Sequence, residues 1–206
     1  KTALMKEWKR KTRKMRSLKK EINIGIVGKY FKSGKFDLKD SYVSVLEAIN
    51  HASWEKGVKA NIHWIVADDF NTDKQLQDEL LSMDGLIVPQ GWGSRGAQGK
   101  IRAIQIAREN KIPYLGLCYG MQMAVIEFAR NVLGLEDANS EEVDPKSKNL
   151  VIHLMEEQKK ILKDGKFGGT IRLGSWPCKI LKGSLLDSLY KEYKNDLFKK
   201  LPTVLE

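Results

Sequence analysis

The sequence predicts an α/β fold in which a parallel central sheet is covered by helices on both faces. Short β-branched runs alternate with amphipathic segments in the order β-α-β-α-β-α-β-α. The strand candidates are almost continuously apolar, as expected for parallel strands buried on both faces. Two glycine-containing loops follow strand candidates, at the strand ends where open α/β sheets place their sites.

Each element is indicated by its pattern and its boundaries. A loop through Ser33, Gly34 and Lys35 leads into a helix with Tyr42, Val45, Leu46 and Ile49 on one face. Asn71 or Thr72 is the expected cap of the next helix, since Gln75 occupies the capping-box position after Thr72. The predicted strands cover residues 22–28, 58–66, 85–88 and 113–117, a further strand falls at 150–154, and the predicted helices cover about 39–56, 72–81, 99–109 and 121–132.

Composition excludes several classes of protein. The chain of 206 residues is 42% hydrophobic, a content typical of one soluble domain with a sizeable core. No apolar run is long enough to cross a bilayer, and the basic N-terminus lacks the apolar core of a signal peptide. Cys118 and Cys178 resemble neither a disulfide framework nor a zinc site. We therefore expect a soluble, cytoplasmic protein with no metal site and no membrane partner.

The net charge of +10 is concentrated at the N-terminus. Residues 1–20 hold ten basic side chains and one acid, which leaves the other 186 residues at about +1. Leu4, Trp8, Met15 and Leu18 recur at helical intervals within this basic arm. Binding to nucleic acid is one possibility, but the apolar stripe favours a linker helix that docks on a neighbouring domain. We thus predict a basic amphipathic linker helix over residues 1–20 and a globular domain over 21–206.

Cys118 is the strongest candidate for a catalytic residue. It is the centre of the run Gly116-Leu117-Cys118-Tyr119-Gly120, between a strand candidate and a helix candidate. A Gly-x-nucleophile-x-Gly turn strains its central residue and presents the side chain at a helix N-terminus. There the helix dipole favours the thiolate, and free backbone N–H groups can receive negative charge. The alternative is a buried structural cysteine at a strand end.

A second loop, residues 89–96, follows the third strand candidate. Its glycines at 91, 93 and 96 can turn backbone N–H groups toward a ligand, and Arg95 adds a cation. The spacing fits neither the dinucleotide fingerprint nor a Walker A motif.

Together these loops resemble a class I, triad-type glutamine amidotransferase, and longer runs are similar to the glutaminase domain of the CTP synthase family. That resemblance implies a flavodoxin-like sheet. The runs cover residues 25–30, 40–48, 91–100, 120–132, 137–142 and 168–174.

The resemblance implies that Cys118 attacks the side-chain amide of glutamine and forms a glutamyl thioester. The N–H groups of Gly91 and Tyr119 would form the oxyanion hole, and Gly120, Met121, Gln122 and Glu142 would surround the substrate. The ammonia would then pass to a synthetase domain that holds ATP and Mg²⁺ and aminates UTP to CTP. GTP is the expected effector near Arg95, this domain needs no cofactor of its own, and the whole enzyme is expected to be a homotetramer that binds no nucleic acid.

Two features depart from the family pattern. Gln90 stands where relatives usually have glycine, which could misform the oxyanion loop if position 90 required a positive φ. The catalytic His-x-Glu pair is absent, because His51, His63 and His153 are followed two residues later by Ser53, Ile65 and Met155. A structural or surface role is expected for all three histidines. We therefore expect a glutaminase domain that lacks its C-terminal part and has little activity alone.

Two alternatives stay open at this point. The chain could be a catalytically dead interaction or regulatory module, or the glutaminase of another class I amidotransferase such as GMP synthetase. The residue after the nucleophile, Tyr119, fits the latter, whereas the runs at 137–142 and 168–174 do not.

Overall fold

A computed structural model describes residues 2–29, 32–33, 36–37, 39–163 and 178–193. The chain divides into two compact units, Lys1–Leu154 and Met155–Glu206. The described strands are β1 (Glu21–Gly28), β2 (Lys32–Ser33), β3 (Phe36–Asp37), β4 (Lys59–Val66), β5 (Gly85–Val88), β6 (Tyr114–Gly116), β7 (Asn139–Ser140) and β8 (Leu150–Ile152). The described helices are α1 (Thr2–Arg16), α2 (Val43–Lys56), α3 (Lys74–Leu81), α4 (Ala97–Glu109), α5 (Tyr119–Asn131), α6 (Glu156–Lys163) and α7 (Leu185–Tyr193).

The first unit is built on a four-stranded sheet with the order β4-β1-β5-β6, in which every pair is parallel. Counted along the chain, these main strands have the order 2-1-3-4, as in flavodoxin-like folds. The predicted fold class is therefore confirmed. The order reverses between β1 and β5, which makes the carboxyl ends of those strands the expected position of a ligand crevice.

Helices cover both faces of this sheet, as its apolar strands require. On one face Val27, Leu86 and Val88 pack with buried residues of α3, α4 and α5 in the larger core cluster. On the other face Tyr42 and Val45 pack against a smaller set of strand residues below α2. β4 and β5 contribute to both clusters because successive side chains point to opposite faces.

Several boundaries differ from those expected. The cap of α3 is Asp73, whose carboxylate accepts the N–H groups of Gln75 at 2.8 Å and Leu76 at 3.3 Å, so the assignment to Asn71 or Thr72 is wrong. Lys39–Tyr42 is a 3₁₀ turn rather than part of α2. The loop after β1 contains a small antiparallel pair, β2 with β3.

The basic arm forms the expected helix, α1, which ends at Arg16 and so excludes Leu18. Trp8 is 65% exposed on it. The domain boundary at residue 20 stays a prediction. The run at 168–174 that contributed to the family resemblance lies outside the described residues.

The turn from β6 into α5 depends on two glycines that admit no side chain. A Cβ on Gly120 would lie 1.9 Å from the carbonyl oxygen of Val88, and one on Gly116 would lie 2.6 Å from the nitrogen of Met121. Both obstacles are backbone atoms, which cannot rotate away. This close approach seats the first turn of α5 directly on β5.

Gly120→Ala should therefore lower the free energy of unfolding by about 3 kcal/mol or more, at or above the upper end of ordinary overpacking. Gly85→Ala is the matched control, since its Cβ would meet the movable Cδ1 of Ile24 at 3.3 Å and the Pro113 carbonyl oxygen at an ordinary contact distance of 3.7 Å. Urea unfolding followed by circular dichroism measures both. Equal losses in the two variants would contradict this account of the turn.

Candidate functional site

Cys118 lies at the turn between β6 and α5 in a strained backbone conformation. Its φ of 53° and ψ of −105° are rare for a residue with a side chain, and strain of this kind costs about 1–3 kcal/mol. Hydrogen bonds on either side hold the turn: Leu117 N–H donates to the Val88 carbonyl at 2.9 Å, and Gln122 N–H donates to the Cys118 carbonyl at 3.2 Å. The side chain is exposed at the N-cap of α5, so the alternative of a buried structural cysteine is wrong.

The glycine loop, residues 89–96, turns its carbonyl groups inward onto buried side chains. The Lys29 ammonium donates to the carbonyls of Trp92, Gly93 at 3.5 Å and Arg95 at 2.9 Å. The Tyr119 hydroxyl donates to the same Gly93 carbonyl at 2.6 Å. Because Tyr119 directly follows Cys118, this bond ties the loop to the nucleophile turn.

Two lysines flank the Tyr119 ring below the loop. Lys29 Nζ lies 5.2 Å and Lys100 Nζ 5.0 Å from the ring centroid, and all three residues are buried. Burial lowers the pKa of both lysines. The positive charge of Arg95 adds to the shift at Lys29, and that of Lys29 adds to the shift at Lys100, whose pKa falls to about 8.

Gly91 faces this cluster. A Cβ at this position would lie 3.2 Å from Lys100 Nζ, 3.3 Å from Lys29 Cε and 3.5 Å from Tyr119 Cδ1, which is tighter than side chains usually pack. Gln90, in contrast, lines an apolar cavity on the α2 side of the sheet together with Leu115 and Leu117. Positive φ values occur at Gly93 and Gly96 but not at Gln90, so glutamine at position 90 introduces no backbone strain.

Glu142 reaches the glycine loop from the segment after β7. Its Oε1 accepts the N–H of Gly93 at 2.5 Å, and the residue is half-buried. Glu142 is therefore not a freely solvated loop acid. This contact brings together two positions that are 49 residues apart in the sequence.

The remaining candidates lie around the turn. Met121 is 53% exposed in the first turn of α5, and Gln122 is half-buried one residue further. Arg95 donates through Nη2 to the Lys29 carbonyl at 2.7 Å, and its Nε lies 3.7 Å from Asp68. These contacts help to hold the loop beside the end of β1.

Each of the three histidines has a carboxylate neighbour. His63, on β4, lies 3.1 Å from Glu79 of α3. Two strands separate β4 from β6, which is about 14 Å across the sheet. His51 is exposed on α2 at 4.0 Å from Glu47, and His153 is exposed at 3.9 Å from Glu141. These positions agree with the surface and structural roles expected for them.

Sequence reasoning missed the buried cluster of Lys29, Lys100 and the Tyr119 phenol. Both lysines belong to runs that carried the family resemblance, but a lysine in a sequence is ordinarily a surface residue. A usable signal was the position of Lys29 directly after a buried strand, at the sheet edge where sites form. Within the described ranges no group of His, Cys, Asp and Glu could hold a metal ion, and no helix is long and apolar enough to span a membrane.

The sheet order and the exposed cysteine at a strained strand-to-helix turn beside the glycine loop are the features to compare with known proteins. Residues 37–203 match the model of the glutamine amidotransferase class-I family. The chain belongs to this family.

Its relatives include CTP synthases. The chain is 50% identical to the CTP synthase of Caldanaerobacter subterraneus subsp. tengcongensis, over 94% of this chain and 34% of the relative. It is 47% identical to the CTP synthase of Pyrococcus furiosus, over 91% of this chain and 33% of the relative. It thus spans about one third of these relatives. Among solved structures it resembles the glutaminase domain of Trypanosoma brucei CTP synthase with bound acivicin, with a TM-score of 0.59 and 39% identity over 66% of this chain and 50% of that one.

The buried charge of Lys100 leads to a prediction about stability and pH. Its pKa of about 8 in the folded chain lies below the ordinary lysine value of 10.5, so the unfolded chain binds more protons between those pH values. The free energy of unfolding of the wild type should therefore rise with pH over this range, relative to Lys100→Met. The gain should be on the order of 3 kcal/mol.

Urea unfolding of both proteins at pH 7, 9 and 11 measures this difference, and the other titrating groups cancel in the comparison. At pH 7 the Met variant should be the more stable protein, because it buries no charge. A difference that does not change with pH would show that Lys100 is not charged and buried in the folded chain.

Proposed function

We propose that this chain is the glutaminase part of a CTP synthase and that Cys118 attacks the side-chain amide of glutamine. The thiolate sulfur bonds to the amide carbon, the carbon–nitrogen bond breaks and ammonia leaves with an added proton. Water then hydrolyses the glutamyl thioester to glutamate and restores the thiol. The observation that carries this proposal is the exposed, strained Cys118 beside a loop whose carbonyls are turned inward.

The oxyanion of the tetrahedral intermediate is assigned to backbone N–H groups. In this mechanism Tyr119 N–H, in the first turn of α5, and Gly91 N–H, in the glycine loop, receive the developing charge. Losing one such donor typically costs about 10²–10³ in rate. The Tyr119 phenol supports this assignment, since its bond to the Gly93 carbonyl holds both donors in one rigid unit.

Glu142 is proposed to bind the α-ammonium group of glutamine. Its carboxylate is already oriented by Gly93 N–H at the edge of the loop, and a charged pair there would be short and strong. Gln122, Gly120 and Met121 complete the proposed substrate pocket around the start of α5.

The released ammonia would be used by a synthetase domain for the ATP-dependent amination of UTP, with Mg²⁺ bound there and GTP as an effector near Arg95. The whole enzyme is proposed to be a cytoplasmic homotetramer. Because none of the three histidines carries the His-x-Glu pattern, the 206 residues are proposed to hold the nucleophile and the glutamine site but to turn over little substrate alone.

A chloroketone analogue of glutamine tests the nucleophile. It should add one label per chain, and peptide mass spectrometry should locate that label on Cys118. Cys178→Ala should label at the wild-type rate, whereas Cys118→Ala should not label. Labelling that survives in Cys118→Ala, or that glutamine does not protect against, would instead support a catalytically inactive module.

The role of Glu142 is tested by its substitution with Gln, which can still accept from Gly93 but carries no charge. The inhibition constant for the chloroketone should rise at least about tenfold, since the α-ammonium loses its charged partner. The matched control is a chloroketone that lacks the α-amino group, whose binding to wild type and Glu142→Gln should be equal. An equal loss with both reagents would mean that Glu142 only shapes the loop.

A further inference from the structure

Lys100 carries an ammonium group that is fully enclosed and unsatisfied. The residue lies in the first turn of α4 with no exposed surface, and within the described part of the chain its Nζ has no hydrogen-bond acceptor. The face of the Tyr119 ring lies 5.0 Å from Nζ, measured to the ring centroid. Burying such a donor without an acceptor is costly, so an unsatisfied group of this kind requires an explanation.

The glycine loop approaches that ammonium at Gly91. A Cβ on Gly91 would lie 3.2 Å from Lys100 Nζ, so the ammonium faces one side of this residue. The neighbouring cation, Lys29, donates to three carbonyl groups later in the same loop, those of Trp92, Gly93 and Arg95. A buried ammonium at this position therefore binds loop carbonyls. Lys100 is the cation placed next to the start of the same loop.

Peptide geometry connects an inward carbonyl with an outward N–H. In a planar trans peptide the two groups point in opposite directions. The Trp92–Gly93 peptide follows this rule, since its carbonyl accepts from Lys29 while its N–H donates to Glu142. The Gln90–Gly91 peptide is attached to the Gly91 Cα, which Lys100 faces. If this peptide rotated so that the Gln90 carbonyl pointed at Lys100, the Gly91 N–H would point outward.

We propose that Lys100 is a positioning residue for the oxyanion site: its ammonium takes up the Gln90 carbonyl when glutamine binds, and this turns Gly91 N–H toward the substrate at Cys118. The inference rests on the proposed glutaminase function. It explains why a costly charge is kept where Met or Leu would pack more favourably. It also accounts for glutamine at position 90, because only the backbone of that residue is required.

Two reagents separate this role from a merely structural one. With a chloroketone analogue of glutamine the thiolate first adds to the ketone carbon, which makes an oxyanion. The sulfur then moves to the adjacent methylene carbon as chloride leaves and the carbonyl re-forms. Iodoacetamide alkylates the same thiolate by direct displacement of iodide and generates no oxyanion. The chloroketone's maximal inactivation rate at saturation is therefore divided by the second-order iodoacetamide rate, both at Cys118 and measured by mass spectrometry in a Cys178→Ala background. This ratio reports the oxyanion site without the contribution of reagent binding.

Lys100→Met should lower that ratio at least tenfold, with the iodoacetamide rate unchanged. The control is Arg102→Met on the same helix. Arg102 donates to Gln105, not to the loop, so this variant should leave the ratio unchanged. A wild-type ratio in Lys100→Met would overturn the inference. If Cys118→Ala still reacted with the chloroketone, the proposed function itself would fail, so the two failures are distinguishable.

A crystal structure of the wild-type chain with the chloroketone bound to Cys118 provides a test that does not depend on any variant folding. Lys100 Nζ should lie within about 3.2 Å of the Gln90 carbonyl oxygen, and Gly91 N–H should point at the oxygen of the adduct. Lys100 without an acceptor in that structure would overturn the inference.

Discussion

The site depends on the close approach of α5 to β5. The backbone of Gly120 passes so near the Val88 carbonyl that no side chain fits between them. This contact forces the chain to turn sharply after β6, which strains Cys118 and exposes its thiol. It also directs the Tyr119 side chain inward, where its hydroxyl binds the glycine loop that follows β5. One packing constraint thus positions both the nucleophile and the loop opposite it.

Electrostatics then determine how the loop presents its backbone. Buried donors, Lys29 and the Tyr119 hydroxyl, draw loop carbonyls to the inner side, so N–H groups are turned outward, as Glu142 shows by accepting one of them. Such an arrangement favours an anion on the outer side, which is where the proposed mechanism places the oxyanion. The cost is the burial of cations, which lowers the pKa values of Lys29 and Lys100. Buried cations with lowered pKa values are typical of functional sites, which agrees with the proposed catalytic role of the loop.

The sequence predicted the features that depend on local patterns. The apolar strands, the order of the elements and the glycine-flanked turn at Cys118 follow from periodicity and from steric rules, and the structure agrees. The cap of α3 was misplaced because Thr72 and Asp73 are both good caps and only the backbone decides between them. Lys29 and the Tyr119 phenol were missed because their hydrogen-bond partners lie 26 to 66 residues away, where local spacing carries no signal. Lys100 was missed because its contact with the Tyr119 ring is likewise formed only by the fold. The placement of Glu142 followed from family resemblance, since an acid in an acidic run has no distinguishing pattern of its own.

The central claim is that Cys118 accepts a glutamyl group, and a γ-thioester of glutamate with an aromatic thiol tests it most directly. The leaving thiolate needs no proton, so acyl transfer should proceed without a general acid and should stop at the acyl-enzyme. Stopped-flow absorbance should show a burst of one thiolate per chain, with the glutamyl adduct on Cys118 and far slower reaction at the exposed Cys178. A burst that persists in Cys118→Ala, or equal reactivity of the two cysteines, would contradict the account.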